Sequence, residues 1–193
     1  MATNTGAYPV VFEMDTPERL SRWLWLFKWL MAIPHYVVLS VLGIVLTFAL
    51  FFAWIAIFFT GKYPKGLFDF VLGVTRWGAR ATAYCSDLTD KYPPFSMGEE
   101  PGYPARLKAQ YPEKSNRLTA FFRWLLVIPH WIIVGVLGLV LWALLFIHIV
   151  TVILTGKPNA GIFRIIVGIN RWTARETAYS LLLTDTYPPF SLD

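Results

Sequence analysis

Two pairs of arginines, Arg76 with Arg80 and Arg171 with Arg175, have the type and spacing to do chemistry. Each pair is spaced i,i+4, so both guanidinium groups leave one face of a helix, and each stands beside a tryptophan, Trp77 or Trp172. Guanidinium forks grip phosphate oxygens, which makes these six residues candidates for binding lipid head groups or a small anion. The structural alternative is that the same forks bond backbone carbonyls or the carboxylates of Asp69, Asp87, Asp90 or Glu176.

Histidines form a second set. His35 and His130 occupy matched positions in two Ile-Pro-His triplets, and His148 lies inside an apolar run. Imidazoles can ligate a metal or haem, and a polar group within an apolar span hints at function. No Cys, Asp or Glu recurs within ligand spacing of His35 or His130, however, so a capping or interface role is expected, with no metal and no other cofactor. Catalytic signatures are missing too. There is no Gly-x-Ser-x-Gly, no phosphate-cradling glycine loop, no His-Glu-x-x-His and no intramembrane carboxylate pair. The single cysteine, Cys85, excludes an internal disulfide, and Ser180 replaces it at the matching later position. These residues point away from an enzyme.

The elements that position these groups are apolar. Residues 36–59 and 131–154 are 24-residue runs without formal charge, and a helix of that length reaches about 36 Å against a hydrocarbon core of about 30 Å. Hydrophobic residues make up 56% of the 193-residue chain and charged residues only 15%, where soluble domains carry nearer a quarter. Nine tryptophans suit two lipid–water interfaces. The net charge of +5 comes from basic residues that flank apolar runs, which favours anionic lipid over nucleic acid as a partner. The opening residues lack a cationic start and an apolar stretch. No cleavable signal peptide is therefore expected.

The chain is duplicated. Residues 8–96 align with 103–191 at a constant offset of 95, and 39 of the 89 pairs are identical. The division is a tail (1–7), repeat 1 (8–96), a linker (97–102), repeat 2 (103–191) and a two-residue end (192–193). Each repeat opens with a short arm of period-two alternation. Its acidic residues in one copy could face basic residues of the other in a small β-pair. A Trp-rich segment follows (18–33 and 113–128), whose Arg22, Lys28, Arg117 and Arg123 suit snorkelling at an interface. Next come the apolar run, a Thr-Gly-Lys stop, and a third segment (66–90 and 161–185) that carries Asp69, Gly73, Arg76, Arg80 and Asp87 on one stripe.

The fold class is thus an all-α membrane protein with two tandem copies. Each copy has a transmembrane helix, an adjoining Trp-rich helix and an amphipathic basic helix. Three topologies compete: the apolar run crossing alone, with the arginine-striped helix, or in a hairpin with the Trp-rich segment turning at Ile-Pro-His. In the hairpin every basic residue except Lys28 and Arg123 falls on one side. An even number of crossings keeps both copies upright in the same environment, so four crossings in total are expected. Gly43 and Gly138 within the runs suggest close helix packing.

The order Arg-Trp/Leu, Ile-Pro-His, apolar run, Thr-Gly-Lys, Gly-Leu/Ile-Phe, Arg-Trp-x-x-Arg, Ala-Tyr, Thr-Asp, Tyr-Pro-Pro-Phe resembles the prokaryotic membrane proteins grouped as domain of unknown function 4389. The resemblance covers nearly the whole chain, once per repeat. It implies a bacterial integral membrane protein and no particular activity. The expected location is the inner (plasma) membrane, multi-pass, with most basic segments cytoplasmic. The expected role is a non-enzymatic scaffold or accessory subunit that contacts lipid head groups, with membrane lipid and a membrane-protein partner or a second copy as partners. The alternative is a small oligomeric transporter or channel for an anion or lipid.

Overall fold

The computed structural model describes residues 8–193, and the tail assigned to 1–7 lies outside the described residues. Strand β1 (Val10–Met14) follows from the alternation of its arm. Helix α1 (Trp25–Thr60) then runs 36 residues through Pro34 without a break. The hairpin at Ile-Pro-His therefore does not form. A proline removes one donor, but Lys28, Ala32 and His35 make one buried row along α1. Packing of that row outweighs the local preference. Gly61, at φ 70°, ends the helix in the left-handed region.

Helix α2 (Lys65–Cys85) carries the first arginine pair, and strand β2 (Ala105–Ala109) opens repeat 2. Here the Trp-rich segment is a separate helix, α3 (Arg117–Leu126), followed by α4 (Ile128–Thr155) and α5 (Ala160–Ser180). The break at Val127 leaves Pro129 in the first turn of α4, where a missing N–H costs nothing. Asn116 starts α3 cleanly, its side chain accepting from Leu118 N and Thr119 N. At the matching site the Ser21 hydroxyl accepts from Trp23 N and Leu24 N only at 3.3–3.5 Å, and regular helix begins later, at Trp25.

A pseudo-twofold axis relates the repeats. Strands β1 and β2 pair antiparallel, with Phe12 opposite Leu107 at the centre, and these two residues are equivalents at the offset of 95. Each arm is lent to the other repeat: β2 packs on α2 and β1 on α5. The polar bonds are reciprocal. Tyr8 donates to the Thr186 carbonyl and Tyr103 to the Lys91 carbonyl, both at 3.0 Å. Arg76 Nε donates to Leu107 O at 3.0 Å, and Arg171 Nε to Phe12 O at 3.2 Å. Leu20 N donates to Gly156 O at 3.1 Å, and Ser115 N to Gly61 O at 2.8 Å.

The layers follow from side-chain alternation. One ladder face buries Val10, Phe12, Ala105 and Leu107 against Phe68, Val71, Phe163 and Ile166 of α2 and α5. The other face carries the expected charge complementarity, with Glu13 opposite Arg106 and Asp15 gripped by both Arg106 terminal nitrogens at 2.6 Å. Beyond α2 and α5 lie α1 and α4. Their outer sides leave large apolar groups uncovered, including Phe48 at 62%, Leu139 at 74% and Trp142 at 75% exposure. An apolar surface this extensive marks a face that a membrane or a partner would cover. Among the described residues α1 and α4 are the two helices long and apolar enough to cross a membrane, against the four crossings expected. Gly43 and Gly138 would meet nothing within 4 Å if given a side chain, so they mark no helix contact within the chain.

Candidate functional site

The repeated motifs converge on one clamp per repeat. From α1, His35 accepts the Trp77 indole N–H at Nδ1, 2.9 Å away. Its ring stacks on Phe95 at 3.9 Å and touches Tyr92, while the Tyr92 hydroxyl donates to Met31 O. The second repeat reproduces this arrangement. Trp172 donates to His130 Nδ1 at 3.0 Å, His130 stacks on Phe190 at 4.3 Å, and Tyr187 donates to Leu126 O. Since each Nδ1 accepts, each Nε2 must carry the proton in the neutral ring. Both Nε2 atoms are buried without a partner.

The arginine pairs point toward the ladder side of α2 and α5. Arg80 donates to the carbonyls of Ser96 and, at 3.0 Å, Gly98, while Arg175 donates to those of Ser191 and Asp193. Gly73 and Gly168 make room for these C-terminal segments, because an added Cβ would lie 2.8 Å from Met97 Cβ or 2.9 Å from Leu192 O. Arg76 bonds Glu99 at 2.6 Å besides the Leu107 carbonyl. Trp77 and Trp172 lie one position along and face the opposite way, into the histidine clamps. The six residues therefore do not converge on one ligand, and their donors are engaged mainly within the chain. None of the four carboxylates named as alternative partners takes that role: Asp69 pairs with Lys65, Asp87 and Asp90 with Lys28, and Glu176 accepts from Trp131 and Ser180.

Two buried cation centres escaped the sequence reading. Lys28 and Arg123 were expected to snorkel, yet they are 1% and 3% exposed. Lys28 Nζ donates to Asp87 at 2.5 Å and to the Thr89 carbonyl at 2.8 Å, and it forms an ion pair with Asp90 at 2.7 Å. Arg123 donates to the Tyr179 and Thr184 carbonyls at 2.9 and 2.8 Å and pairs with Asp185. The acidic groups come from the Thr-Asp turns after α2 and α5, so inward rotation satisfies each cation more fully than lipid head groups could. The signal was available: a cation deep in each Trp-rich segment, Lys28 and Arg123 at matched positions, with Asp90 and Asp185 at matched positions downstream.

The centres differ in their cation and in one turn residue. Asp87, at φ 56°, has Leu182 as its equivalent at φ 65°. Burial pushes the Asp87 carboxyl up, and Lys28 and then His148 pull it back down. His148 is itself fully buried, with Nε2 near the Asp87 carbonyl. Among the described residues no three His, Cys, Asp or Glu side chains gather as a metal site would require.

Two copies of a helical unit with apolar outer faces, joined through exchanged arms and pinned by repeated His-Trp-Phe and arginine–carbonyl clamps, define a duplicated helical protein with one candidate membrane helix per repeat. The chain belongs to the family described as domain of unknown function 4389, whose family model matches residues 22–97 and again 117–191. Searches of curated proteins and of solved structures find no match.

Proposed function

We propose that the chain is a non-enzymatic membrane protein, a scaffold or accessory subunit that sits in lipid and presents a polar platform to a partner. The carrying observation is the division of its surface. The outer sides of α1 and α4 are apolar, while the opposite end is a charged ladder built from Glu13, Asp15, Arg106 and Lys108. The arginine pairs, histidines and buried cations are each tied to groups of the chain itself, which supports a framework role over a reacting centre. Head-group contact falls to exposed cations at the helix ends, Arg22, Lys62, Arg117 and Lys157. The proposed location is the inner membrane of a bacterium, with the basic segments cytoplasmic.

Purification from native membranes in mild detergent, with crosslinking beforehand, tests the role. A defined partner captured through the ladder face is expected. A protein that always migrates alone would overturn the accessory reading.

One observation favours the alternative of a lipid-carrying transporter. A cavity of about 420 Å³ lies between α2 and α5, lined by Phe12, Leu46, Leu107, Thr75 and Thr173. Vesicles that show lipid flux only with the protein present would favour this second reading.

A further inference from the structure

The two reciprocal bonds at the helix ends fix the height of the long helices. Ser115 N meets Gly61 O, and Leu20 N meets Gly156 O. Leu20 and Ser115 are equivalents, as are Gly61 and Gly156. A twofold rotation leaves equivalent atoms at one height along its axis. The start of the first Trp-rich segment therefore stands within a hydrogen bond's length of the height at which α1 ends. Segment 115–156 obeys the same condition.

The direction of that axis follows from the ladder. It passes between Phe12 and Leu107, perpendicular to the paired strands, and meets in turn the charged ladder face, the buried ladder face, α2 with α5, and the apolar helices. An axis lying in the membrane plane would turn Glu13 and Lys108, 45% and 58% exposed, toward lipid at mid-depth. Charged groups at that depth lose their hydration and find no solvating partner in hydrocarbon. An axis along the bilayer normal places the ladder in water and the helices in lipid at no such cost.

We infer that both ends of each long helix lie on one side of the bilayer, so the chain occupies the membrane from a single face, and that its lipid partner is the near leaflet. This rests on the membrane reading above. A straight α1 with level ends lies parallel to the membrane surface. Bending at Pro34 changes little, because Trp25 to Pro34 rises about 14 Å at 1.5 Å per residue and the turn at residues 22–24 adds little more, short of the hydrocarbon core of about 30 Å. The break at Val127 limits the second copy to about 18 Å by the same rise. Arg22 packs on Gly156 beside Lys157, and Arg117 on Gly61 beside Lys62. This sets four cations at one level, as anionic head groups of one leaflet would require.

Single cysteines test the inference. In a Cys85→Ser background, which copies Ser180, the exposed positions take Arg19→Cys, Lys62→Cys, Lys114→Cys, Lys157→Cys or, on the ladder, Lys108→Cys. Sealed vesicles of known orientation are treated with a membrane-impermeant maleimide. All five are expected to label from the same side, with at least a tenfold difference between vesicle orientations. Labelling of Arg19→Cys and Lys62→Cys from opposite sides would overturn the single-face arrangement while leaving membrane insertion intact. Release of the protein by alkaline carbonate would overturn membrane insertion as well.

Discussion

His148 of the second repeat places Nε2 3.0 Å from the carbonyl oxygen of Asp87 in the first. No reciprocal bond exists, because Ala53 occupies the equivalent position in α1 and the opposing turn holds Leu182. The contact joins the repeats where the pseudo-symmetry fails. His148→Ala strands a buried carbonyl and should cost about 1–3 kcal/mol. Thermal unfolding in detergent measures it, and a midpoint equal to that of the parent would mean that the bond contributes nothing.

Lys28 answers two carboxylates where Arg123 answers one and two carbonyls. Removing a single partner from a buried ion pair costs about 3–5 kcal/mol, so Lys28→Met should be severely destabilising. Lys28→Arg combined with Asp87→Leu rewrites the first centre in the residues of the second. That double variant should keep most of the stability that Lys28→Met loses. If both variants unfold alike in denaturant titrations, the two centres are not interchangeable.

Trp77 holds the His35 tautomer. Trp77→Phe removes the indole donor and leaves both imidazole nitrogens without partners, at a cost of about 1–3 kcal/mol. Nitrogen-15 spectra of labelled histidine should show the His35 Nδ1 acceptor signal disappear while that of His130 persists. A retained His35 signal would argue against the bond.

Gly73 and Gly168 carry the Ser96–Gly98 and Ser191–Asp193 segments in contact with the helices. Gly73→Ala places a methyl group where Met97 already lies, and overpacking of this kind costs about 1–3 kcal/mol. Proteolysis near Ser96 should accelerate as the Arg80 clamp opens. Cleavage at the parent rate would show that the segment accommodates the methyl group.

Asp15 gives the ladder a pH dependence. The Arg106 guanidinium beside it holds its carboxyl below the usual carboxylate range. A depressed carboxyl stabilises the fold above its unfolded pKa of about 3.9, and this contribution disappears as pH falls through the folded value. Amide protection in β1 and β2 should therefore drop only below about pH 4, and Asp15→Asn should abolish that acid step. An acid step of equal size in Asp15→Asn would assign it to another group.

Much of this architecture was legible because duplication wrote it twice. The offset of 95 predicted the repeats, the alternation of Val10, Phe12 and Met14 predicted a strand, and Glu13 against Arg106 predicted its partner. Gly61 and Gly156 marked the helix ends through their need for positive φ.

The misreadings share a cause. Pro34 read as a turn because local propensity is visible in a sequence, whereas the buried row of Lys28, Ala32 and His35 needs α2 beside it to be seen. Lys28 and Arg123 read as snorkelling because their carboxylates lie about 60 residues downstream. A guanidinium fork likewise gives no sign in the sequence that Ser96, Gly98 and their equivalents will fold back to meet it. Exchange of the arms was invisible for a further reason: an arm docked on the helices of its own repeat or on those of the other buries the same alternating face.

Phe12 facing Leu107 has a history written into it. A ladder centred on two versions of the same residue is the isologous geometry that a pair of identical chains adopts. In this protein the two units share one chain, so their encounter is set by the reach of a short tether and not by concentration. A polypeptide bearing a single such unit would have an arm with no groove of its own to fill, and its stable form would be a homodimer.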